Sequence, residues 1–309
     1  MGEINQRKVY GKTLVELGHE NPDIVVLDAD LGGSTMGKMF EAEFPERHIE
    51  MSIAEANMLS VSAGLAQTGK IPFANSFAVF VAGRAFDQIR QTISIGKLNV
   101  KICGSSAGLS DFGDGATHQS VEDLAIMRAI PNMTVLCPAD ANEMRKAVRA
   151  AAAFQGPCYF RANRNDYENV TAEDAPFEIG RPTVLREGTD IVVFAIGYMN
   201  NLALEAAQEL SDRVSVKVVN MSTLKPVNTE LLHKLAAGAK GIVTVEEHSI
   251  LGGLGGTISE VFGKDRVPIQ RVGINDVFGC SAHGYQELLE HYGLTKEHIV
   301  QAILDVIKP

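Results

Sequence analysis

The stretch GDGATHQSVEDLAIMRAIPNMTVLCPADANEM, residues 113–144, carries the pattern that decides the fold of this chain. It opens with a Gly-Asp-Gly turn, contains the apolar run MTVLCP, and ends where a new helix begins after the residues PAD. The turn has two interpretations. Asp114 and the later Asn142 could hold a metal ion and a diphosphate, whereas Asp114 and His118 could instead face a substrate without a metal.

Short apolar runs alternate with helical patterns on both sides of this stretch. In the first half, the runs that we interpret as strands cover residues 23–30, 48–52, 71–76, 99–105, 133–138 and 157–162. A helix with an apolar stripe from Val79 to Ile93 lies among them. The runs are rich in Val, Ile and Phe without polar alternation, which is typical of strands buried on both faces of a sheet.

A second series of strands and helices follows an acidic, proline-containing segment, DYENVTAEDAPFEIGRP. Its predicted strands cover residues 190–197, 215–221, 241–247 and 269–274, and its last helix covers about 296–308. The sequence therefore predicts an α/β protein with two doubly wound, mainly parallel-sheet domains. We place these domains at residues 1–166 and 189–309, with a linker over 167–188.

The composition excludes several classes of protein. The 309 residues can form two domains, each with a core of its own. A net charge of −10, spread over mixed charges, argues against nucleic acid or an anionic membrane as the main partner. No run of about 20 apolar residues is present, and the N-terminal residues predict an amphipathic helix rather than a signal peptide. We therefore expect a cytoplasmic protein without a membrane partner.

The cysteines, histidines and glycines give little sign of a metal or nucleotide site. Cys103, Cys137, Cys158 and Cys280 form no C-x-x-C pair, and we expect them to be reduced. The eight histidines show no H-E-x-x-H pattern, so we expect no metal ligands in this chain. The run LGGLGG, residues 251–256, lacks the G-x-G-x-x-G spacing, and we interpret it as a loop entering a helix.

Side chains suited to chemistry collect where the strands of the first domain end. They are Asp28 and Asp30 after the first strand, Glu55 after the second, Phe77 and Phe80 after the third, the Gly113 loop after the fourth, and Arg161 and Arg164 at the sixth. Ligands of open α/β sheets bind beyond the carboxyl ends of the strands. The candidate site therefore lies in the first domain.

Two of these features have alternative interpretations from the residues alone. Glu55, in the first turn of a helix, could complement the helix dipole, or it could be an acid buried among apolar neighbours and able to exchange a proton. Phe77 and Phe80 could belong to the core, or they could form an aromatic wall for a flat ring.

Three segments taken together resemble the pyrimidine-binding domain of transketolases: IAEANM (53–58), NSFAVF (75–80) and the stretch 113–144. TVEEHSILGGLGG (244–256) resembles the transketolase C-terminal domain. The resemblance covers essentially the whole chain but only about the second half of a full transketolase. It implies that the diphosphate-binding domain, with its own metal-binding Gly-Asp-Gly, belongs to a separate N-terminal subunit, so that Asn142 is not a metal ligand.

The resemblance implies a role in cofactor binding for four residues. Glu55 corresponds to the catalytic glutamate that contacts the aminopyrimidine ring of thiamine diphosphate. Phe77 and Phe80 correspond to the aromatic pocket around this ring, and Asp30 corresponds to an aspartate at the active-site interface. The accompanying Mg²⁺ is expected on the partner subunit.

The resemblance also implies residues that bind the substrate. His118 and Asp114 correspond to residues that hydrogen-bond sugar hydroxyls near the reacting carbon, and His118 is expected to be catalytic. Arg7, Ser34 and Arg164 correspond to ligands of the substrate phosphate, with Arg161 as the alternative to Arg164. The segment GSSAGL (104–109) departs from the family because it lacks the usual phosphate-binding histidine near Ser105.

The implied function is the C-terminal subunit of a split transketolase, which transfers a two-carbon ketol unit between sugar phosphates. Such a subunit needs an N-terminal partner subunit, and we expect a homodimer core within an α₂β₂ assembly. Three alternatives stay open: a protein like 1-deoxyxylulose-phosphate synthase, a subunit like the β subunit of 2-oxo acid dehydrogenase E1, and a non-catalytic paralogue.

Overall fold

The strands and helices were located in a computed structural model that describes residues 3–265 and 267–308, so the outer ends of the two predicted domains lie outside the described residues. The strands β1–β12 are Ile24–Asp28, His48–Glu50, Ile71–Phe77, Lys101–Ser105, Thr134–Leu136, Cys158–Arg161, Thr183–Arg186, Ile191–Ala195, Val216–Asn220, Thr223–Lys225, Gly241–Ser249 and Ile269–Ile274. The helices α1–α12 are Gln6–Glu20, Gly32–Thr35, Gly37–Glu43, Glu55–Gln67, Phe86–Gln88, Asp123–Ala129, Ala141–Ala153, Met199–Glu209, Thr229–Ala236, Leu254–Phe262, Tyr285–His291 and Lys296–Ile307. Two 3₁₀ turns, Pro45–Arg47 and Gly115–Thr117, and two π-helical turns, Phe80–Arg84 and Ile89–Ser94, complete the described elements.

The described strands form two sheets, each at the centre of one unit of the chain. The first has the strand order β10-β5-β6-β4-β3-β1-β2, and the second has the order β12-β11-β8-β9-β7. Neighbouring strands are parallel except at two edges, where β10 pairs with β5 and β7 pairs with β9 in antiparallel fashion. The predicted α/β fold with two mainly parallel sheets is confirmed, and each predicted strand is present.

Two short strands were not predicted, and both bear on the domain boundaries. Thr183–Arg186 lies inside the segment predicted as a linker, yet it forms the edge of the second sheet against β9. Thr223–Lys225 comes from the second half of the chain but joins the first sheet beside Thr134–Leu136. The two units are therefore connected by shared strand pairing as well as by the segment between them.

The connecting segment is held against the first unit by the residues at the start of α7. Asp140 caps this helix by accepting a hydrogen bond from the Glu143 amide at 2.9 Å. Its second carboxylate oxygen accepts from the amides of Val170 and Thr171 at 2.8 and 2.6 Å. The Asn142 side chain donates to the Thr171 carbonyl at 2.8 Å, so its amide group serves this junction.

The strands that support the candidate site are buried on both faces. All residues of β1 and β4 are buried, as are all but the first residue of β3. The N-terminal helix α1 is capped by Asn5, which accepts from the Lys8 amide at 3.1 Å, and it packs on this sheet through Tyr10, Leu14 and Leu17. Across residues 3–265 and 267–308, each helix is either too short or too polar to cross a lipid bilayer.

Candidate active site

A pocket of about 320 Å³ opens at the carboxyl ends of the parallel strands in the first sheet. Its lining residues come from the ends of β1 and β2, the start of α4, the first π-helical turn and the Gly113 loop. They are Ala29, Asp30, Leu31, Ile53, Glu55, Phe80, Arg84, Thr117 and His118. The structure thus brings four of the predicted site residues together, at the edge of the sheet where the sequence placed them.

Glu55 begins α4, and its side chain is almost fully buried at the wall of this pocket. Phe77 is buried behind it, at the end of β3, and stacks on Phe80 with ring centroids 6.0 Å apart and ring planes inclined by 12°. His118 meets the Phe80 ring edge-on at 5.2 Å. An acid, an aromatic face and an imidazole therefore surround one small volume.

Arg84 is a pocket residue that sequence reasoning missed. It donates to the two carboxylate oxygens of Glu55 at 3.1 and 3.4 Å, and its guanidinium carbon lies 4.2 Å from the centre of the Phe80 ring. The π-helical turn Phe80–Arg84 places it there, and such wide turns occur frequently at functional sites. The sequence signal was an arginine in an otherwise apolar helix pattern, which suggests a surface residue.

The backbone beside the pocket is held in an uncommon conformation. Asp30 and Ser52 have φ angles of 57° and 55°, in the left-handed region that non-glycine residues rarely occupy. The Glu50 carboxylate accepts hydrogen bonds from both of their amides at 2.8 Å. Because such residues cost roughly 1–3 kcal/mol each and cluster at functional sites, this strain supports the assignment of a site here.

A buried network below the pocket fixes the segment that carries Asp30 and Ser34. The Asp28 carboxylate accepts from the Thr35 hydroxyl at 2.6 Å and contacts His48 Nε2 at 2.9 Å. Burial lowers the pKa of His48, but the hydrogen bond and charge of Asp28 outweigh it, so the pKa is raised overall. Asp28 therefore supports the site from within the core and does not line it.

The Gly113 loop brings His118 to the pocket and leaves Asp114 exposed at its tip. Gly115 has a φ of 73°, and a Cβ atom at this position would lie 2.4 Å from the Ser281 hydroxyl. The second glycine of the Gly-Asp-Gly turn is thus required by the packing of the loop on the second unit. This requirement explains the glycine without any metal ion.

Arg7, Ser34 and Arg164, three of the residues predicted to bind phosphate, lie together. Arg7 donates to the carbonyl oxygens of Ser34 and Arg164 at 2.9 and 3.2 Å. Nε of Arg7 is buried and has no hydrogen-bond partner in the described structure. Two arginines and a hydroxyl residue from three separate segments therefore converge.

Arg164 has an acidic partner that was not predicted. Its Nη1 atom lies 2.5 Å from Oδ2 of Asp111, whose side chain is buried at the start of the Gly113 loop. The Asn165 amide donates to the Ser110 carbonyl at 3.0 Å and holds the two segments together.

Arg161, the alternative to Arg164, lies in a different environment. Its side chain is only 6% exposed and lies 3.1 Å from the fully buried Asp123. It donates to the carbonyl oxygens of Glu247 and Ser120 at 3.1 and 3.4 Å. These contacts occupy the guanidinium at the junction of the two units, whereas the Arg164 side chain is partly exposed.

The segment that lacks the expected histidine is closed to solvent. Ser105 and Ser106 are buried, and neither hydroxyl has a hydrogen-bond partner among the described residues. Residues 104–108, GSSAG, also have the G-x-S-x-G spacing of serine hydrolases, and Ser106 has a positive φ of 51°. A buried serine without a base beside it does not support a hydrolase.

Comparison with protein families identifies both units. The transketolase pyrimidine-binding domain matches residues 2–169, and the transketolase C-terminal domain matches residues 180–299. The chain belongs to the transketolase family. This membership confirms the resemblance and supports a transferase subunit, in a family that generally uses thiamine diphosphate and a divalent metal.

The similar proteins include subunits of split transketolases. The chain is 46% identical over 307 residues to a transketolase C-terminal section from Methanocaldococcus jannaschii, covering 98% of this chain and 96% of that one. It is 40% identical over 303 residues to a 6-deoxy-6-sulfo-D-fructose transketolase subunit from Clostridium sp. strain MSTE9, covering 97% and 94%. The chain is thus a homologue of split transketolase C-terminal subunits, and the E1 β-like alternative is not favoured.

A solved structure and a full-length relative define how much of a transketolase is present. A split-gene transketolase, described as an inactive β4 tetramer, superimposes with a TM-score of 0.90 at 48% identity and covers 99% of both chains. Mouse transketolase is 36% identical over 311 residues, which cover 99% of this chain but 49% of the mouse protein. The chain therefore corresponds to about half of a full-length transketolase.

Proposed function

We propose that this chain is the C-terminal subunit of a thiamine diphosphate-dependent transketolase, which transfers a two-carbon ketol unit between sugars or sugar phosphates. The observation that carries the proposal is the buried Glu55 carboxylate beside the Phe80 ring in a small open pocket. His118 meets the same Phe80 ring edge-on, and its imidazole would supply a group that binds the substrate.

The residues of the pocket fit the pyrimidine end of thiamine diphosphate. A flat heterocycle needs an aromatic face and a hydrogen-bonding acid at its edge, and Phe80 and Glu55 supply these two groups within one volume. Arg84 donates to Glu55 and lies over the Phe80 ring, so a flat, hydrogen-bonding group already contacts both residues, which supports the proposal. Phe77 and Asp30 would complete the surroundings of this ring.

The division of chemistry follows from these positions. When bound, thiamine diphosphate supplies the carbanion chemistry that breaks and re-forms the carbon–carbon bond of the sugar. Glu55 would exchange a proton with the ring nitrogen N1′, and its burial excludes bulk water from this exchange. His118 and Asp114 would bind hydroxyl groups of the sugar near the reacting carbon.

The distal end of the substrate would lie on Arg7, Ser34 and Arg164. Arginine suits this role because its planar fork binds oxyanions through two hydrogen bonds. The named substrates of relatives differ at this end, since one split subunit is named for a 6-sulfo sugar. We therefore propose a sugar substrate whose far end can be acidic.

We propose that Mg²⁺ and the diphosphate are held by an N-terminal partner subunit in an α₂β₂ assembly around a homodimer of this chain. The pocket is incomplete on one side, where Ile53 is 70% exposed beside Glu55. A related chain is described as an inactive β4 tetramer, which supports the view that such subunits need a partner for activity. The free cysteines are consistent with the cytoplasmic location that we propose.

Calorimetric titration of thiamine diphosphate, with and without Mg²⁺ and the N-terminal subunit, tests this proposal. We expect weak or no binding to the isolated chain, and tight Mg²⁺-dependent binding together with ketol transfer in the complex. Tight Mg²⁺-dependent binding by the isolated chain would show that the Gly113 turn does form a metal site. Consumption of pyruvate with release of CO₂ in place of ketose consumption would instead assign the synthase-like alternative.

A further inference from the structure

A buried carboxylate lies among the arginines of the proposed phosphate site. Asp111 is 3% exposed, and its Oδ2 atom lies 2.5 Å from Nη1 of Arg164. The Arg164 side chain is 31% exposed, so part of it remains accessible beside this buried acid. Asp111 belongs to the same loop that carries Asp114 and His118.

The pairing of Asp111 with Arg164 is expected to persist when a substrate binds. An ionised carboxylate buried without a cationic partner is strongly disfavoured, so removing the guanidinium would leave an uncompensated charge. A substrate phosphate therefore meets an Arg164 whose charge is already balanced. Arg84 differs, because it is largely exposed and can leave Glu55 in contact with the open pocket.

The other charges at this end also balance. Burial lowers the pKa of Arg7, the charge of Arg164 lowers it further, and Asp111 and Asp166 oppose the shift. Arg7 is thus within interaction range of one cationic group and two anionic groups. Asp166 is itself fixed by the Asn5 side-chain amide at 2.5 Å.

The segment 104–109, which lacks the expected histidine, contributes no positive charge of its own. Ser105 and Ser106 stand in this segment, and both are buried away from the site's surface. Arg7 and Arg164 therefore offer hydrogen-bond donors whose two positive charges are matched by Asp111 and Asp166. A phosphate dianion gains less here than at a site with two unpaired arginines, because Asp111 repels it.

We propose that Asp111 is a specificity-determining residue, which neutralises Arg164 and thereby lets sugars with an uncharged or singly charged far end compete with sugar phosphates. This inference rests on the proposed transketolase function and names the substrate class of that site. A hydroxyl or a single anionic oxygen at the far end can accept the arginine hydrogen bonds without bringing a second charge close to Asp111.

The test compares wild type with Asp111→Asn in the complex with the N-terminal subunit. Each is assayed with one ketose as donor in its phosphorylated and unphosphorylated forms. We expect wild type to discriminate between them by less than about tenfold in kcat/KM, and Asp111→Asn to raise the preference for the phosphorylated form by about tenfold, mainly through KM. Asp174→Asn, an exposed site in the connecting segment, makes the same change in charge and should leave the ratio unchanged.

The ratio of kcat/KM values does not depend on the fraction of folded enzyme, so partial misfolding of the variant does not obscure the result. An unchanged ratio in Asp111→Asn, or a preference of wild type for the phosphorylated donor above about a hundredfold, would overturn the inference. If Asp111→Asn does not fold, the wild-type ratio alone decides.

Inorganic phosphate separates this inference from the proposed function. Even if neither sugar is turned over, which would defeat the transketolase proposal, phosphate binding can be measured by its effect on thermal unfolding. We expect phosphate to stabilise Asp111→Asn at about tenfold lower concentration than wild type. Equal phosphate dependence in the two proteins would show that Asp111 does not set the charge of the site.

Discussion

Two arginine–carboxylate pairs in this molecule show opposite designs. The pocket pair, Glu55 with Arg84, joins a buried acid to an arginine side chain that is 53% exposed. The junction pair, Asp123 with Arg161, buries both partners between the two units. The carboxylate is buried in both pairs. The pairs differ in whether the arginine can move away from it.

This difference separates an acid suited to chemistry from an acid that holds the fold. Arginine carries donors and no acceptor, so Glu55 cannot exchange a proton with Arg84 and must face another group to do so. An exposed partner allows that exchange at low cost. Asp123 also accepts from the Tyr159 hydroxyl at 2.7 Å, and its side chain is fully buried.

Replacement of Glu55 by Gln should have the largest effect and directly tests the role of the pocket pair. Gln keeps the shape of the side chain but cannot exchange the proton, so we expect ketol transfer in the complex to fall by about 10²–10⁴-fold. Stopped assays of kcat measure this loss, and circular dichroism checks the fold. Full activity in Glu55→Gln would remove the proposed mechanism.

Replacement of Arg161 by Met tests the junction pair. Removal of one partner leaves Asp123 as an uncompensated buried charge, and we expect the chain to lose about 3–5 kcal/mol of stability or to be insoluble. The midpoint of urea unfolding measures the loss, with Arg84→Met as the matched control. A similar loss in both variants would show that the two pairs do not differ as we describe.

The pH dependence of stability tests two buried glutamates of the strand Gly241–Ser249, which also supplies the Glu247 carbonyl that contacts Arg161. Burial raises the pKa of Glu246 and of Glu247 to about 7 each. Their folded pKa values exceed the unfolded ones, so their stabilising contribution is present at low pH and is lost as the pH rises through about 7. Burial lowers the pKa of His248 to about 4. This shift makes stability rise with pH, but the rise is largely complete near pH 6.5, the pKa of His in the unfolded chain.

Between pH 6.5 and 7.5 we therefore expect stability to fall by roughly 1 kcal/mol, as measured by urea unfolding. Glu247→Gln should reduce this slope, whereas Glu173→Gln, at an exposed position, should leave it unchanged. A stability that rises across this interval would show that Glu246 and Glu247 are already ionised below it.

Replacement of Arg84 by Met should have the smallest effect. An ion pair with one exposed partner contributes up to about 1 kcal/mol, and this contact must break before the pocket can accept a ring. We expect thiamine diphosphate to bind the variant complex up to about fivefold more tightly, as measured by calorimetry. Arg90→Met, an exposed arginine farther along the same region, serves as the control. Weaker binding by Arg84→Met would instead make Arg84 a ligand.

Much of the fold could be predicted because the strands around the site are buried on both faces and appear as apolar runs. Thr183–Arg186 and Thr223–Lys225 could not, since three or four residues at a sheet edge carry too little pattern. The helix expected from Val79 to Ile93 is instead interrupted by two π-helical turns, and the apolar spacing gave no sign of them.

The candidate site was predictable as a set of residues but not as a set of contacts. Glu55, Phe80 and His118 could be placed at one sheet edge because the ends of parallel strands converge there. The partners Arg84 and Asp111 could not be found, because an arginine or aspartate on a loop or helix looks like a surface residue until its neighbour is known. Arg161 and Arg164 differ in how far their side chains are buried, and this difference cannot be read from the sequence of the segment that contains both.

The strand Thr223–Lys225 means that the two units of this chain are not independent of each other. A fragment that ended near residue 169 would keep the whole pocket but would expose the edge of Thr134–Leu136, together with the amide of Cys137 that bonds to the Ser222 carbonyl at 2.8 Å. Unpaired edges of this kind recruit other chains. A gene fragment that encodes the first unit alone would therefore give an aggregation-prone protein. Any recombination that exchanges the second unit must also supply a strand that pairs with Thr134–Leu136.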